Sequence, residues 1–167
     1  MNEVTIYQQP QDVSLVDMRA DSRRFPRLAT LDQETAQHRL QGIVAMAYTY
    51  TGRQYQPADL TLVAHGLYTE LMLDEDGVGT KNISVEEIGY AIRRAVLTTE
   101  MYGINVVSLY KAVRAYCVGE GHYAQEQANE RRAAERKAQL KATPAGAMLT
   151  AYTGALLKHS SLKDPQK

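Results

Sequence analysis

Residues 83–96 read Ile83-Ser84-Val85-Glu86-Glu87-Ile88-Gly89-Tyr90-Ala91-Ile92-Arg93-Arg94-Ala95-Val96. Ser84 and Glu87 have the spacing of a capping box, in which each side chain satisfies a backbone N–H at the start of a helix. The isoleucines on either side of this pair occupy the positions of a hydrophobic staple. Apolar residues then recur at steps of three and four. The stretch predicts an amphipathic helix that begins after Ser84 and ends near Leu97.

Two further helices are predicted upstream of this stretch. The quartet Thr30-Leu31-Asp32-Gln33 has the form of a second capping box and predicts a helix that runs to about Tyr48. Pro57 suits the first turn of the next helix, because the N–H that proline lacks would have had no partner there. Its apolar stripe continues to about Leu73.

Downstream, the character of the chain changes near residue 121. Asn105 is a good N-cap for a fourth helix, which Gly119 and Gly121 end. Residues 122–142 are rich in alanine, glutamine, glutamate and arginine, and have strong helix propensity but little to bury. We expect a charged fifth helix on the surface there, followed by a short final helix over 145–158.

The first thirty residues lack a sustained helical period and contain two prolines. We therefore expect an irregular or extended arm. The fold class predicted is all-α, a compact bundle of about four core helices with this arm and the charged C-terminal helix. The expected organisation is an arm over residues 1–30, a helical core domain over 31–121, and a charged helix, short helix and tail over 122–167.

Composition narrows the classes of function. With 167 residues the chain has the length of one ordinary domain. Nineteen basic and nineteen acidic residues give a formal charge of zero, which removes any global electrostatic attraction to nucleic acid or anionic membrane. No signal-peptide pattern or membrane-spanning run is visible, and Cys117 is the single cysteine. We expect an intracellular protein in a reducing compartment, with no intramolecular disulfide.

The loop that begins at Asp74 partly matches an EF-hand. Asp74, Asp76 and Gly79 occupy positions one, three and six of the calcium-binding pattern. Val78 and Val85 stand at positions five and twelve, where a side-chain ligand and a bidentate glutamate are required. We therefore expect an acidic turn and no metal site.

Other catalytic and cofactor patterns are also incomplete. Residues 77–81 lack the Gly-Lys-Ser/Thr order of a phosphate loop, and the four histidines are scattered without metal-ligand spacing. No pairing of a nucleophile with a base can be assigned from spacing alone. The sequence predicts no catalytic, cofactor-binding or metal-binding residue, and we expect a binding protein that is not an enzyme.

Two arginine-rich segments are candidates for partner binding. Residues 130–141 hold five basic and two acidic side chains, and residues 19–27 hold four arginines and one aspartate. Either segment suits an acidic protein surface or a phosphate backbone, and the acidic residues in the first segment weaken the second option. A solvated surface remains the alternative. The candidate residues are Arg131, Arg132, Arg136, Lys137 and Lys141, with Arg19, Arg23 and Arg24.

A third candidate is a helix-turn-helix made by the helices on either side of Gly103. Its recognition helix would present four side chains to the major groove, namely Asn105, Ser108, Lys111 and Arg114. Six or seven residues separate the two helices, whereas the motif has a turn of three or four. Ordinary helix packing is the favoured interpretation.

The runs 84–96 and 101–116, with their Tyr-Gly turn and terminal Ala-Tyr, resemble small helical proteins of bacteriophages and conjugative elements. Some of those proteins are similar to replisome organisers and helicase loaders. The resemblance implies a replication accessory protein of a phage or mobile element, an adaptor that acts through protein–protein contacts and docks onto a replicative helicase by its charged C-terminal segment. It implies no catalytic residue and no cofactor.

Two alternatives stay open beside the adaptor. One is a phage structural or assembly component whose arm wraps a neighbouring subunit, and the other is a helix-turn-helix DNA-binding regulator. The adaptor and the structural component each require a protein partner, a helicase for the former and an assembly subunit for the latter. The adaptor would lie in the cytoplasm of a bacterial host, and the structural component in a virion.

Overall fold

The computed structural model of the protein describes residues 6–8, 10, 13–98 and 103–142. Within these ranges the regular secondary structure is helical, so the predicted all-α class is confirmed. The predicted final helix over 145–158 lies outside the described residues. The α-helices are α1 (Leu15–Ala20), α2 (Gln33–Tyr50), α3 (Pro57–Leu73), α4 (Val85–Thr98), α5 (Val106–Val118) and α6 (Glu120–Ala142).

Four helices enclose the core, as the sequence predicted. Helix α2 packs against α3 and α4, and α5 packs against the same two helices. Each helix turns a stripe of aliphatic side chains inward, and burial of each large side chain contributes about 1.5–3 kcal/mol to folding. The fully buried members include Leu40, Ile43, Leu60, Leu67, Leu71, Ile88, Ile92 and Leu109.

The capping box at the start of α4 forms as predicted. The Ser84 N–H donates to Glu87 Oε2 at 2.9 Å, and the Glu87 N–H donates to Ser84 Oγ at 3.3 Å. At α5 the Asn105 side chain accepts from the Ser108 N–H at 2.9 Å. The start of α3 at Pro57 and its end at Leu73 are confirmed as well.

The start of α2 differs from the prediction. Its N-cap is Asp32, whose carboxylate accepts from the Thr35 N–H at 2.8 Å. Thr30 belongs instead to a 3-10 turn over Leu28–Thr30, and its hydroxyl donates to the Arg27 carbonyl at 2.8 Å. Either residue suits a cap, and the aspartate prevails because the 3-10 turn already engages the threonine.

Residues 13–30 do not form the extended arm that we expected. Helix α1 begins after Ser14, whose hydroxyl accepts from the Asp17 N–H at 3.1 Å. Met18, Phe25 and Leu28 are buried. These apolar side chains are few and widely spaced, so they give no helical period, yet together they attach the segment to the core.

The same segment pairs with the start of α4. Arg27 and Ser84 form an isolated antiparallel β-bridge, and the Leu28 N–H donates to the Ile83 carbonyl at 2.8 Å. The first thirty residues therefore do not form a unit apart from the core over the part that the structure describes.

Helix α6 begins earlier than predicted and its first turns are packed. It starts directly after Gly119, the C-cap of α5, so that Gly121 lies inside it. A Cβ at Gly121 would lie 2.9 Å from the Tyr116 ring, which explains the glycine. Ala124 and Ala128 are buried, so the core extends past the expected boundary at residue 121.

The chain divides into two compact units, residues 1–128 and 129–167, and the boundary falls inside α6. Of the second unit, the structure describes the helical residues 129–142. Over the described part of the chain, no helix is both long enough and apolar enough to span a membrane.

Candidate functional surfaces

A buried polar cluster surrounds Glu87, whose side chain is fully buried. Its Oε2 accepts from Arg27 Nη1 at 2.9 Å and from the Ser84 hydroxyl at 3.1 Å. Its Oε1 accepts from the Tyr116 hydroxyl at 2.8 Å and forms an ion pair with Arg19 Nε. The contact with Arg19 is an ion pair without the alignment of a hydrogen bond.

This cluster, the Glu87 hub, corrects the prediction for Arg19. We expected Arg19 to meet a partner, but only 6% of it is exposed. Its Nη1 also donates to Gln125 Oε1 in α6 at 3.3 Å. An arginine in a polar stretch of sequence looks solvated, but here a buried carboxylate from α4 compensates its charge.

The electrostatics of the hub suit a structural role. Burial and the negative charge of Glu87 raise the pKa of Tyr116 well above its usual value, so the phenol stays neutral and donates its proton to the carboxylate. A charge buried in this way is tolerated only when it is paired and hydrogen-bonded. The hub thus joins α1, α4, α5 and α6 and leaves no reactive group exposed.

Arg23 and Arg24 remain accessible, in keeping with their candidacy for partner binding. Both side chains are exposed, and their backbone N–H groups donate to Asp21 Oδ1 at 3.1 Å. The guanidinium of Arg24 lies over the ring of Phe25 at 5.1 Å.

A groove of about 990 Å³ lies between α4 and α5. Alanines from both helices form much of its wall, and Val107 adds exposed apolar surface. Arg94 and Glu120 line the groove and form an ion pair with each other. Lys111 is exposed beside them.

The four helix-turn-helix candidates do not form one recognition surface. Asn105 and Ser108 cap the helix reciprocally, since the Asn105 N–H donates to Ser108 Oγ at 3.2 Å. These two and Lys111 line the α4–α5 groove. Arg114 is instead paired with Asp76 through its Nε at 2.5 Å. For these side chains to contact DNA bases, the Asn105–Ser108 cap and the Arg114–Asp76 ion pair would first have to break.

The side chain of Asp74 stabilises the acidic turn by accepting hydrogen bonds from backbone N–H groups within that turn. Asp74 adopts a left-handed conformation with φ 47°. Its Oδ1 accepts from the N–H groups of Gly79 and Thr80 at 3.0 and 3.2 Å, and from the Thr80 hydroxyl at 3.2 Å. Among the described residues, no group of three or more His, Cys, Asp or Glu side chains is placed to hold a metal ion.

The described part of the second unit is a helical segment with nearly all of its side chains in solvent. From Asn129 to Leu140 every residue is exposed except Arg132, which is half-buried. Arg131 and Glu135 form an ion pair at 3.2 Å. At about 100° per residue, Arg132, Arg136 and Lys137 lie within less than half of the helix circumference. Arg136 and Lys137 face away from the ion pair, and Arg132 lies about 60° from Glu135 around the helix. The side chain of Lys141, another candidate, lies outside the described residues.

A further contact, which the sequence analysis missed, lies between α2 and α4. The Tyr7 N–H donates to the Gly42 carbonyl at 3.1 Å, and the Tyr7 hydroxyl donates to the Glu86 carbonyl at 3.3 Å. The ring occupies the space where a Cβ at Gly89 would be, and the two would overlap. We call this place the Tyr7 slot. A glycine inside an amphipathic helix was its only signal in the sequence.

The Glu86 side chain has one unsatisfied polar atom among the described residues. Glu86 forms an ion pair with Arg39 through Oε1, while its buried Oε2 has no hydrogen-bond partner among the described residues. Burial and the charge of Glu86 raise the pKa of Tyr7, so the phenol stays protonated as a donor.

Comparison of the chain with protein-family models, curated proteins and solved structures gives no match.

Proposed function

We propose that this protein is a non-enzymatic adaptor that recognises an acidic protein surface through the exposed basic face of α6. The observation that carries this proposal is the helical segment 129–140, whose side chains are almost all in solvent. A helical segment with so little to bury gains little stability from packing within its own chain. Under this proposal the charged face of the segment binds a partner protein.

The charge distribution favours a protein partner over nucleic acid. Arg136 and Lys137 are exposed, and Arg132 lies on the same side of the helix. Glu130 and Glu135 lower the local positive potential, and the whole chain has no net charge. Binding to a phosphate backbone depends on the summed positive charge, whereas an acidic protein surface can match a mixed pattern residue by residue.

The resemblance to helicase loaders of phages and mobile elements supplies the first partner to test, a replicative ring helicase. Under this proposal the two proteins co-purify, and deletion of residues 131–167 abolishes the complex. Failure to form any complex with the helicase would reject the loader role.

A charge-neutral variant gives a sharper test because it leaves the chain intact. Replacing Arg132, Arg136 and Lys137 with glutamine should weaken binding by roughly tenfold or more, since rim charges in complementary interfaces act together. The matched control replaces Arg23, Arg24 and Lys111 with glutamine and loses the same charge elsewhere. If the control loses binding and the α6 variant keeps it, the contact does not lie on α6.

Three groups of the described residues that could suggest catalysis are already engaged in the fold. Glu87 is enclosed by the hub, Asp74 by its own loop, and the thiol of Cys117 is buried with its pKa raised to about 11 by desolvation. A nucleophile needs an accessible and activated group, and a raised thiol pKa works against activation. This supports the proposal of a binding protein over an enzyme.

A further inference from the structure

The Tyr7 slot has the features of a detachable contact. The ring of Tyr7 fills the space above Gly89 on α4, and the backbone is held by one hydrogen bond to Gly42 on α2. On either side of the tyrosine, Ile6 is 43% exposed and Gln8 is exposed. A segment that carries the same tyrosine can therefore approach the slot from solvent.

Release of the segment would leave the rest of the fold in place. Six residues, including Pro10, separate Gln8 from α1. Helix α1 is anchored independently, because Met18 is buried in the core and Arg19 belongs to the Glu87 hub. Departure of residues 6–8 breaks the contacts of Tyr7 without breaking these.

The slot recognises its occupant by shape and by backbone hydrogen bonds. The Tyr7 ring fills the space above Gly89, and the carbonyls of Gly42 and Glu86 accept hydrogen bonds from the Tyr7 N–H and hydroxyl.

We propose that the Tyr7 slot also accepts the N-terminal segment of a second copy of this chain, so that copies join by exchanging residues 6–8. The second copy supplies the complementary shape, because its Tyr7 and backbone N–H make the same contacts. Exchange of an identical element is a low-cost route to association.

Exchange between copies competes with binding of the segment to the slot of its own chain. A short linker holds a segment near its own slot at an effective concentration in the millimolar range. One ring and two hydrogen bonds give a weak contact, with a dissociation constant on the order of 0.1–1 mM once the entropy of association is included. Exchange therefore begins to compete with binding within one chain when the concentration of copies approaches the millimolar range.

Two complementary variants isolate the contact between copies. Tyr7→Ala removes the occupant and leaves an open slot, while Gly89→Ala keeps the occupant and blocks the slot. Neither variant alone can form the link between copies. In a mixture, the segment of the Gly89→Ala protein can bind the open slot of the Tyr7→Ala protein, whose own segment no longer competes. Circular dichroism first establishes that both variants are folded.

The measurement is the NMR spectrum of isotope-labelled Tyr7→Ala protein titrated with unlabelled Gly89→Ala protein to about 1 mM. We expect progressive shifts of the Gly42 and Gly89 amide signals. The matched control is the unlabelled double variant Tyr7→Ala/Gly89→Ala, which should cause no such shifts. Absence of shifts with Gly89→Ala protein, or equal shifts with the double variant, would overturn the proposal.

A peptide provides a second measurement that does not depend on the Gly89→Ala fold. A labelled peptide of residues 1–12 should bind full-length Tyr7→Ala protein, as followed by fluorescence anisotropy, and its alanine-substituted form should bind at least tenfold more weakly. Equal binding of the two peptides would contradict recognition of the tyrosine. None of these results depends on α6, so the exchange and the adaptor role can fail separately.

Discussion

Replacing Glu87 with glutamine should destabilise the fold strongly, although the two side chains have nearly the same shape. The substitution removes the negative charge with which both Arg19 and Arg27 form ion pairs. The side chains of Arg19 and Arg27 are 7% and 15% exposed, so water compensates them poorly. Removing one partner of a buried ion pair costs about 3–5 kcal/mol.

The expected loss follows from that figure. The glutamine oxygen can still accept from Tyr116, but one of its two positions becomes an amide donor that faces Arg27 or Arg19. We expect the free energy of unfolding to fall by about 3–5 kcal/mol. For a chain of this size, that is a decrease in melting temperature of roughly 6–20 °C.

The assay is urea unfolding followed by circular dichroism, with Glu86→Gln as the control at the neighbouring position. Among the described residues Glu86 forms an ion pair with Arg39, and the two side chains are 9% and 32% exposed, so this change leaves a single, partly solvated guanidinium and should cost less than Glu87→Gln. A loss below about 1 kcal/mol for Glu87→Gln, or one no larger than that of the control, would show that the hub does not hold the N-terminal segment as argued.

Four further predictions concern three other sites. Gly89→Ala should destabilise the wild-type protein by displacing Tyr7 but stabilise the Tyr7→Ala variant by about 0.5–1 kcal/mol, which a double-mutant cycle of unfolding free energies would measure; the same sign in both backgrounds would contradict the overlap. Cys117, with its pKa raised from 9.0 to about 11 by burial, should react with iodoacetamide at pH 8 at least about 100-fold more slowly than free cysteine. Because the folded pKa of Cys117 is the higher one, the thiol should contribute stability that is fully present below pH 9 and lost as pH rises towards 11, as an alkaline series against Cys117→Ala would reveal. Asp74→Ala should lower the unfolding free energy by about 1–3 kcal/mol in thermal melts, because it removes the acceptor for Thr80 and places alanine at positive φ, whereas a calcium-dependent melting temperature of the unsubstituted protein would support the EF-hand alternative.

The sequence predicted helices best where their caps are local. The starts of α4 and α5 depend on Ser84 with Glu87 and on Asn105 with Ser108, pairs only three residues apart. Such pairs are visible in any short window of sequence. The start of α2 was misplaced because Thr30 and Asp32 both suit a cap, and only the 3-10 turn before the helix decides between them.

The surfaces were predicted less well because they depend on contacts between distant residues. Nothing near Arg19 in sequence indicates its pairing with Glu87, and nothing near Tyr7 indicates Gly89. The accessible residues Arg23 and Arg24 look the same in sequence as Arg19, which is buried. These two contacts left only weak local signs in the sequence. The signs were a single glycine inside a helix and a glutamate already used in a cap.

The pairing of Arg19 with α4 and α6 has a consequence for synthesis of the protein. Arg19 donates to Gln125, 106 residues further along the chain. A ribosome makes the N-terminal segment first, so α1 must wait for most of the chain to emerge before its native neighbours exist. During that interval Arg19 is solvated, and the apolar side chains that later become buried have not yet been covered by the helices that follow. Docking of residues 13–30 is therefore expected as a late step in folding, and stalled nascent chains that end before residue 87 should leave this segment open to proteolysis.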